Sequence, residues 1–578
     1  MFVKTTRAKG FEYIKLVESY WEDGKSKHRL LYNFGRADLI RKDKGFLNVV
    51  KRLCEIAGYP SDDESSGNNH PFENCSEATF YNYGYLAYLK LWVKLGIAET
   101  LECQQFAYKI KYSLSETVFL MSVQHLLEPR SKLSTYSRQN RYFNMREVPL
   151  HHLYRALDIL SERKEHIERE LFDYNYVRTN KKVDVVFYDV TTFEFESVIS
   201  DELKDFGFSK ACKFNEVQVV MGMIIDSDGL PVGYELFPGN TFDGKTMLGA
   251  LENIQKKFGI DRVIIVADRG LNSKGNLNLI KEAGYGYIMS SRIRTMSKAM
   301  KIKILDAEGF KVVKDDSGNE TLRYKTMPHE NAYKDDAGQL HSLPENLVIS
   351  YSPKRASKDR KDRERLVAKA KKLLEEPEKI KASNKRGGKK YIDRVNPKNT
   401  DTWRLAIEKI EKDAEFDGYF GIQTSEKEMT AADVMDAYHT LWKIEESFRI
   451  MKTTMEVRPI HHWTPKRIEG HFVMCFLAFL MERTMEIMLK GKADETSSSP
   501  QKIQEALNTM QLAAVTTESG EIYIKSKPDA LANKIFRLLK ITTPANMSKK
   551  QELLDKFGFT VEAQPTQMTF FSPLEQYV

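Results

Sequence analysis

Val183-Asp184-Val185-Val186-Phe187-Tyr188-Asp189-Val190-Thr191-Thr192 is a β-rich run in which an acidic residue closes the apolar stretch. An unbroken run of this kind predicts a strand buried on both faces, over 183–190. A second run at 217–225 leads through Asp226-Ser227-Asp228-Gly229, a hairpin turn, to a third strand at 231–237, so these three strands are expected to be antiparallel neighbours. A helix over 246–258, the apolar strand 263–267, a helix over 273–283 and a strand over 285–289 complete a βββαβαβ order, a mixed sheet with helices packed on it. Asp189 ends the first strand and Asp268 ends the fourth in this reading. Ligands gather at such strand ends. If the fourth strand lies beside the first, the two carboxylates face each other across a short gap, where they repel unless a cation sits between them. A single strand-end Asp is more commonly a cap or turn residue, so the weight rests on the pair.

Outward from this core the pattern changes. The 578 residues, with 41% apolar and 11% aromatic side chains, exclude a disordered or fibrous chain and imply several domains. Strands around 11–17 and 28–33, joined by Glu22-Asp23-Gly24-Lys25, and a helix over 47–57 predict a small α+β lobe at 1–60. A polar stretch at 61–77 reads as a linker, and 78–176 is helical throughout, as in Tyr85, Tyr88, Leu89, Trp92 and Val93. The core occupies 181–295 and resumes at 416–490, with a strand over 419–424 and a helix over 430–453; the intervening 296–415 is an insertion with helices expected over 363–376 and 402–412. Residues 491–578 carry little signal. The longest uncharged apolar run, 472–481, is about half a membrane span. The first residues lack the apolar core of a secretory leader, which makes the cytoplasm the expected compartment. Five widely spaced cysteines without a C-x-x-C pair predict ordinary buried thiols.

Charge is concentrated. Residues 354–398 hold 18 Lys+Arg against 7 Asp+Glu, an excess larger than the +8 of the entire chain. A solvated helix accounts for such a run as readily as a phosphate-binding surface does, although Lys385, Arg386, Lys389 and Lys390 lie in a Gly-containing turn suited to phosphates. Arg130, Lys132, Arg138 and Arg141 fall between helices, where a solvated loop and a phosphate contact are equally open readings. On the helix expected over 430–453, Tyr438, Glu445 and Lys452 recur every seven residues and so share one face. Glu194 and Glu196 alternate with Phe193 and Phe195 and read as solvent-facing; His461-His462-Trp463 lacks a third ligand at metal-binding spacing.

Tyr438, Glu445 and Lys452 resemble the Y-x2-R-x3-E-x6-K signature of the large insertion-sequence DDE transposases, the group that includes the transposon-five enzyme, except that Leu441 stands where the signature has Arg. Tyr188-Asp189-Val190-Thr191-Thr192 looks like the first-Asp motif of that group, Val266-Ala267-Asp268-Arg269-Gly270 like the second, and Phe237-Pro238-Gly239-Asn240-Thr241 like the turn between them. Gly10, Val17-Glu18-Ser19 and Gly35-Arg36 resemble the opening of transposases of this length. The resemblance implies a multidomain α+β protein with an RNase H-like βββαβαβ-α core interrupted by a β-rich, basic insertion. It further implies that Asp189, Asp268 and Glu445 hold two Mg²⁺ ions, replaceable by Mn²⁺, for strand cleavage and strand transfer. Tyr438, Lys452 and Arg269 would then contact DNA, Lys443 or Arg449 would take over from the missing Arg, Trp403 would stack on a base, and the insertion would bind phosphates. A homodimer pairing two transposon ends, working on double-stranded DNA at a bacterial nucleoid, belongs to the same implication. Two rivals are a phosphatase of the aspartyl-phosphate type, disfavoured because Thr191 occupies its acid position, and a transposase-derived DNA-binding protein without catalysis, to which Leu441 points.

Overall fold

A computed structural model describes residues 2–558 apart from 59–77, 208–215, 242–244, 335–338, 377–379, 381–386, 491–497 and positions 9, 23–24, 41, 57, 198, 261–262, 397–398, 459 and 518–519. The chain divides into two compact units, Met1–Asn175 with Ile450–Val578, and Tyr176–Arg449. The expected linker at 61–77 and the Asp23-Gly24 turn lie outside the described residues, as do Cys75 and Cys212.

The first unit opens with an antiparallel meander, β1 (Phe2–Ala8), β2 (Phe11–Glu22) and β3 (Lys25–Arg36), followed by α1 (Ala37–Ile40) and α2 (Lys44–Ile56). Strand β1 was illegible by alternation because Lys4, Thr5, Thr6 and Arg7 interrupt its apolar residues; its partner decides it, pairing from Phe2↔Val17 to Ala8↔Phe11. The stretch expected to be helical throughout begins instead with β4 (Thr79–Asn82). Helices α3 (Leu86–Lys94), α4 (Ile97–Ala107), α5 (Leu114–Leu127), α6 (Lys132–Arg138) and α7 (Leu150–Phe172) follow. All residues of α5 are buried, which places it at the centre of this bundle. Cys103 is exposed, unlike the buried Cys475.

The second unit is built on a nine-stranded sheet. Strands β5 (Val185–Glu194), β6 (Gln218–Asp226) and β7 (Pro231–Pro238) are antiparallel neighbours, and α8 (Met247–Glu252) leads to β8 (Ile264–Ala267). Then come α9 (Lys274–Glu282), β9 (Gly286–Ser290) and α10 (Lys298–Leu305). Strand β8 runs parallel to both β5 and β9. The order β7-β6-β5-β8-β9, with a parallel centre and an antiparallel flank, is consistent with an RNase H-like core. Every residue of β6 is buried, as its uninterrupted apolar sequence requires of a strand covered on both faces.

Residues 296–415 add β10 (Lys311–Lys314), β11 (Glu320–Lys334) and β12 (Leu340–Tyr351) to the same sheet, then α11 (Pro353–Glu375), the hairpin β13 (Ile392–Asn396) and β14 (Asn399–Leu405), and α12 (Ile407–Ala414). The helix expected over 402–412 therefore starts late, since Trp403 and Arg404 pair with Arg394 and Asp393 in the hairpin. Strand β15 (Tyr419–Thr424) joins β12 to β9. The single helix expected over 430–453 is two, α13 (Ala431–His439) and α14 (Trp442–Thr453). The break is a tight turn in which the Leu441 amide bonds to the Tyr438 carbonyl, three residues back, at 3.1 Å. Leu441 is buried there.

The chain then returns to the first unit with α15 (Pro465–Lys490), α16 (Pro500–Asn508), β16 (Gln511–Thr517), β17 (Gly520–Lys525), α17 (Ala530–Leu538), β18 (Met547–Lys549) and α18 (Lys550–Lys556). Strand β16 pairs with β4 from Gln511↔Asn82 to Ala514↔Thr79, closing a four-stranded sheet across more than 400 residues of chain. Among the described residues no helix is long and apolar enough to cross a membrane.

Candidate active site

Strand pairing decides where the two aspartates stand. Tyr188 on β5 is opposite Ala267 on the parallel β8, so the next residue of each chain is an aspartate at the C-terminal end of that pairing. Neighbouring strands lie about 4.8 Å apart, which brings Asp189 and Asp268 side by side. Strand β5 does not end at Asp189, as its sequence suggested; it runs on to Glu194, because Val190 to Glu194 keep pairing with β6 after β8 has left. Asp189 is consequently a strand-interior residue, half-buried, while Asp268 is exposed on the turn that follows β8. The same continuation buries Glu194, 3% exposed, correcting its reading as solvent-facing; Glu196 is exposed.

The turn carrying Asp268 is tied down from several strands. Asn272 Nδ2 donates to the Ser290 carbonyl at 2.7 Å and to Gln423 Oε1 at 3.0 Å. Gln423 Nε2 and Tyr287 Oη in turn donate to Glu345 Oε2 at 3.3 and 2.7 Å. Burial pushes the Glu345 carboxyl up to about 7 despite the Tyr287 hydrogen bond, which acts the other way. Arg292 donates to the Arg269 carbonyl at 3.3 Å. None of these polar residues was singled out from sequence. The signal available was a Gln and a Glu inside otherwise strand-forming, buried segments.

Tyr438, the last polar residue of α13 before His439, reaches this turn. Its hydroxyl donates to Asp268 Oδ1 at 3.4 Å, a long contact. Burial raises the phenol to about 12, the Ser290 hydrogen bond opposes that shift, and the negative charges of Asp268 and Glu445 add to it. The phenol thus lies within the field of both carboxylates and stays protonated at neutral pH. Glu445 is exposed in the first turn of α14, and Lys452 lies two turns further on that helix, partly buried. The helix break means that Tyr438 does not share a continuous helical face with them; the fold brings its hydroxyl to Asp268 by a different route. Carboxylate oxygens are the right donors for a hard divalent cation. Among the described residues, however, no three His, Cys, Asp or Glu side chains are gathered closely enough to hold one.

The basic residues sort into engaged and open ones. Lys443 Nζ donates to the Ser227 carbonyl in the β6–β7 turn at 2.6 Å. Arg449 is 69% exposed and 3.4 Å from Glu446, a weak surface pair. Arg269 is exposed. Trp403 packs with Tyr391, Ile392 and Ala370, with the Arg394 guanidinium 5.2 Å over its ring, so its aromatic face is already in use. Lys390 pairs with Asp413, Lys389 is half-buried, and Lys385 and Arg386 lie outside the described residues. Along α11 only Ala356 and Ala370 are buried, and Lys358, Arg360, Lys361, Lys369, Lys371 and Lys372 are exposed. In the other unit Arg130 pairs with Glu128 at 3.0 Å, and Lys132 is buried. The turn at Gly239-Asn240 has a structural job: Asn240 donates to Asp205 at 2.6 Å and Gln218 donates to the Gly239 carbonyl at 2.8 Å.

Comparison with known proteins gives the family. Residues 181–481, more than half of the chain and the whole span from the first aspartate to beyond Glu445, match the family described as Transposase DDE domain. The chain belongs to the DDE transposases. Residues 2–59 match the IS1634 family transposase N-terminal domain, which accounts for the β-meander and α2 of this transposase. A solved piggyBac transposase synaptic complex with hairpin DNA is 10% identical, covering 87% of this chain and 91% of that chain with a TM-score of 0.34. No curated protein matches the transposase.

Proposed function

We propose that this transposase cuts DNA at the ends of an insertion sequence and joins the freed ends to target DNA, using Asp189, Asp268 and Glu445 to hold divalent cations. The observation that supports the reading is the register Tyr188↔Ala267, after which each of the two parallel strands continues into an aspartate, with Tyr438 contacting the second. When bound, two Mg²⁺ ions, or Mn²⁺ in their place, supply activation of the attacking hydroxyl and stabilisation of the leaving oxygen. The chain's own residues position and bind. Asp189 is held in β5 by its pairing with Met223 of β6, whereas the turn of Asp268 is held by the Asn272–Gln423–Glu345 network and its carboxylate by the protonated Tyr438. Glu445 completes the set from α14. The exposed cations of α11, with Arg269, Arg449 and Lys452, bind DNA phosphates, as a run of such density suits. Two copies acting together would pair two ends.

The test is cleavage of a duplex carrying the element's own terminal repeat, in Mg²⁺ and separately in Mn²⁺, comparing the wild-type chain with Glu445→Gln at equal DNA occupancy. Cleavage by the wild type alone supports the reading. Equal binding with no cleavage by either protein in either metal overturns it in favour of a transposase-derived DNA-binding protein, the reading to which the buried Leu441 belongs.

A further inference from the structure

Lys132 is an anomaly. It begins α6 between two surface arginines, yet it is only 4% exposed, and no carboxylate, carbonyl or hydroxyl among the described residues bonds to its ammonium. Its electrostatic neighbours are His125, His462 and His471, whose charged forms it disfavours, and the Cys475 thiol, which burial holds up near 12 and so leaves neutral. Burial lowers the Lys132 ammonium to about 8, and an anion seated beside it would favour the charged form. Lys132 opens onto a cavity of about 400 Å³, the size of a small-ligand site. Four of the lining side chains are cationic: Lys132, Arg130, Arg458 and Arg467, against Glu456 as the sole acidic lining residue among those described. Arg130 and Arg467 have carboxylate partners outside the lining, Glu128 at 3.0 Å and Asp158 at 3.2 Å; Lys132 does not.

A second buried group points the same way. His125, 4% exposed, also lines the cavity, and its Nδ1 has no hydrogen-bond partner. Burial pushes His125 and His462 down to about 3, so at neutral pH both are uncharged rings. Trp463 lines the same cavity and is 74% exposed. An aromatic plane at the mouth of a cationic hole is the arrangement that takes a base on its face and a phosphate beneath it.

We infer that this cavity, lined by the start of α6, the end of α5, Glu456 to Arg458 and His461 to Thr464 with Arg467, is a nucleotide-phosphate subsite for DNA in which Lys132 and His125 meet a backbone phosphate and Trp463 stacks on the adjoining base. The inference rests on the reading of the chain as a DNA transposase and adds to it a contact made by residues other than the three carboxylates. It also gives a use to His461-His462-Trp463, which as a metal pair made no sense.

The experiment measures binding of fluorescein-labelled terminal-repeat duplexes, fully paired and with a frayed single-stranded end, by anisotropy across a salt series without metal. The proteins are the full-length chain, Lys132→Met and Trp463→Ala. Lys132→Met is expected to lose about tenfold affinity and to lower the slope of log K against log salt by about one, the signature of one lost phosphate. Trp463→Ala is expected to lose about tenfold on the frayed duplex and little on the paired one, and being a surface change it tests the site even if Lys132→Met does not fold. If wild type binds and both pocket variants bind identically with the same slope, the subsite is wrong while the transposase reading stands. If wild type binds no DNA, the broader reading fails. Inorganic phosphate is titrated in a parallel melting experiment; stabilisation of wild type and not Lys132→Met, with unchanged DNA binding, makes the cavity a free-phosphate site and overturns the DNA assignment.

Discussion

In the Tyr176–Arg449 unit, Asp268 and Glu445 stand exposed on a turn and on the first turn of a helix, while in the other unit α15 buries Glu482, Arg483 and Glu486 at 2%, 1% and 2% exposure. The first arrangement keeps its charges in contact with solvent, where carrying them costs little. The second holds charge inside a bundle, where each group needs a partner: Arg483 with Glu486, Tyr88 with Glu482 at 2.5 Å. Burial still raises the Glu482 carboxyl to about 8, so it is protonated at neutral pH and the Tyr88 contact is one between neutral groups. What this teaches is that an exposed acidic pair is available to a cation and a buried ionisable group is a structural commitment. Lys132 is the exception that lacks its partner.

The sharpest way to break the comparison is at the exposed acids. Asp189→Asn, Asp268→Asn or Glu445→Gln is expected to lower strand cleavage by about 10³-fold or more, since metal-supplied stabilisation is worth several kcal/mol, while melting temperatures stay near wild type; a folded Asp268→Asn enzyme that cuts normally would show that the strand-end pair is not the site. The counterpart in the bundle is Gly470→Ala. A Cβ there would lie 1.9 Å from the Leu157 carbonyl oxygen of α7, backbone against backbone, and the expected cost exceeds about 3 kcal/mol in chemical denaturation. Gly222→Ala, whose Cβ would meet the Tyr188 hydroxyl at 2.3 Å, should cost about 1–3 kcal/mol, because a side chain can yield where a helix backbone cannot.

The pH dependence sharpens the contrast further. Glu345 has its folded pKa raised, to about 7 from 4.5, so its contribution favours the fold below pH 4.5 and is lost as pH rises through 7. Glu345→Gln, neutral throughout, is expected to match wild type near pH 4 and to gain up to about 3 kcal/mol at pH 8 in urea unfolding; no difference between the two pH values would mean that Glu345 is not protonated in the fold. The smallest effect is expected at Lys443→Met, which removes the bond to the Ser227 carbonyl: about 1 kcal/mol of stability, with DNA affinity nearly unchanged because that ammonium is already engaged.

Most of the core was legible because its information is local. Apolar runs of strand length, the Asp-Ser-Asp-Gly turn and helical spacing place β5 to β9 and the helices between them within a few residues, and both aspartates sit where those runs end or thin out. The helix break at Thr440-Leu441 was not legible, because Tyr438, Glu445 and Lys452 keep helical spacing through it; only the structure shows that Leu441 is drawn into a core and the turn tightened. Strands β1 and β4 were missed for a related reason, since each is defined by a partner, β4 by one more than 400 residues away.

The amino-acid sequence by itself determined the order of strands and helices between 183 and 290 and the concentration of cations between 354 and 398, and it offered the three acidic candidates, all from side-chain chemistry, motif and short-range periodicity. Tertiary structure alone decided that β5 continues past Asp189 and buries Glu194, that Tyr438 reaches Asp268 from a separate helix, that Lys443 is spent on a turn, and that Lys132, His125 and Trp463 border one cavity. Those are consequences of pairing and packing between segments far apart in the chain, and no local pattern encodes which distant segment a residue will meet.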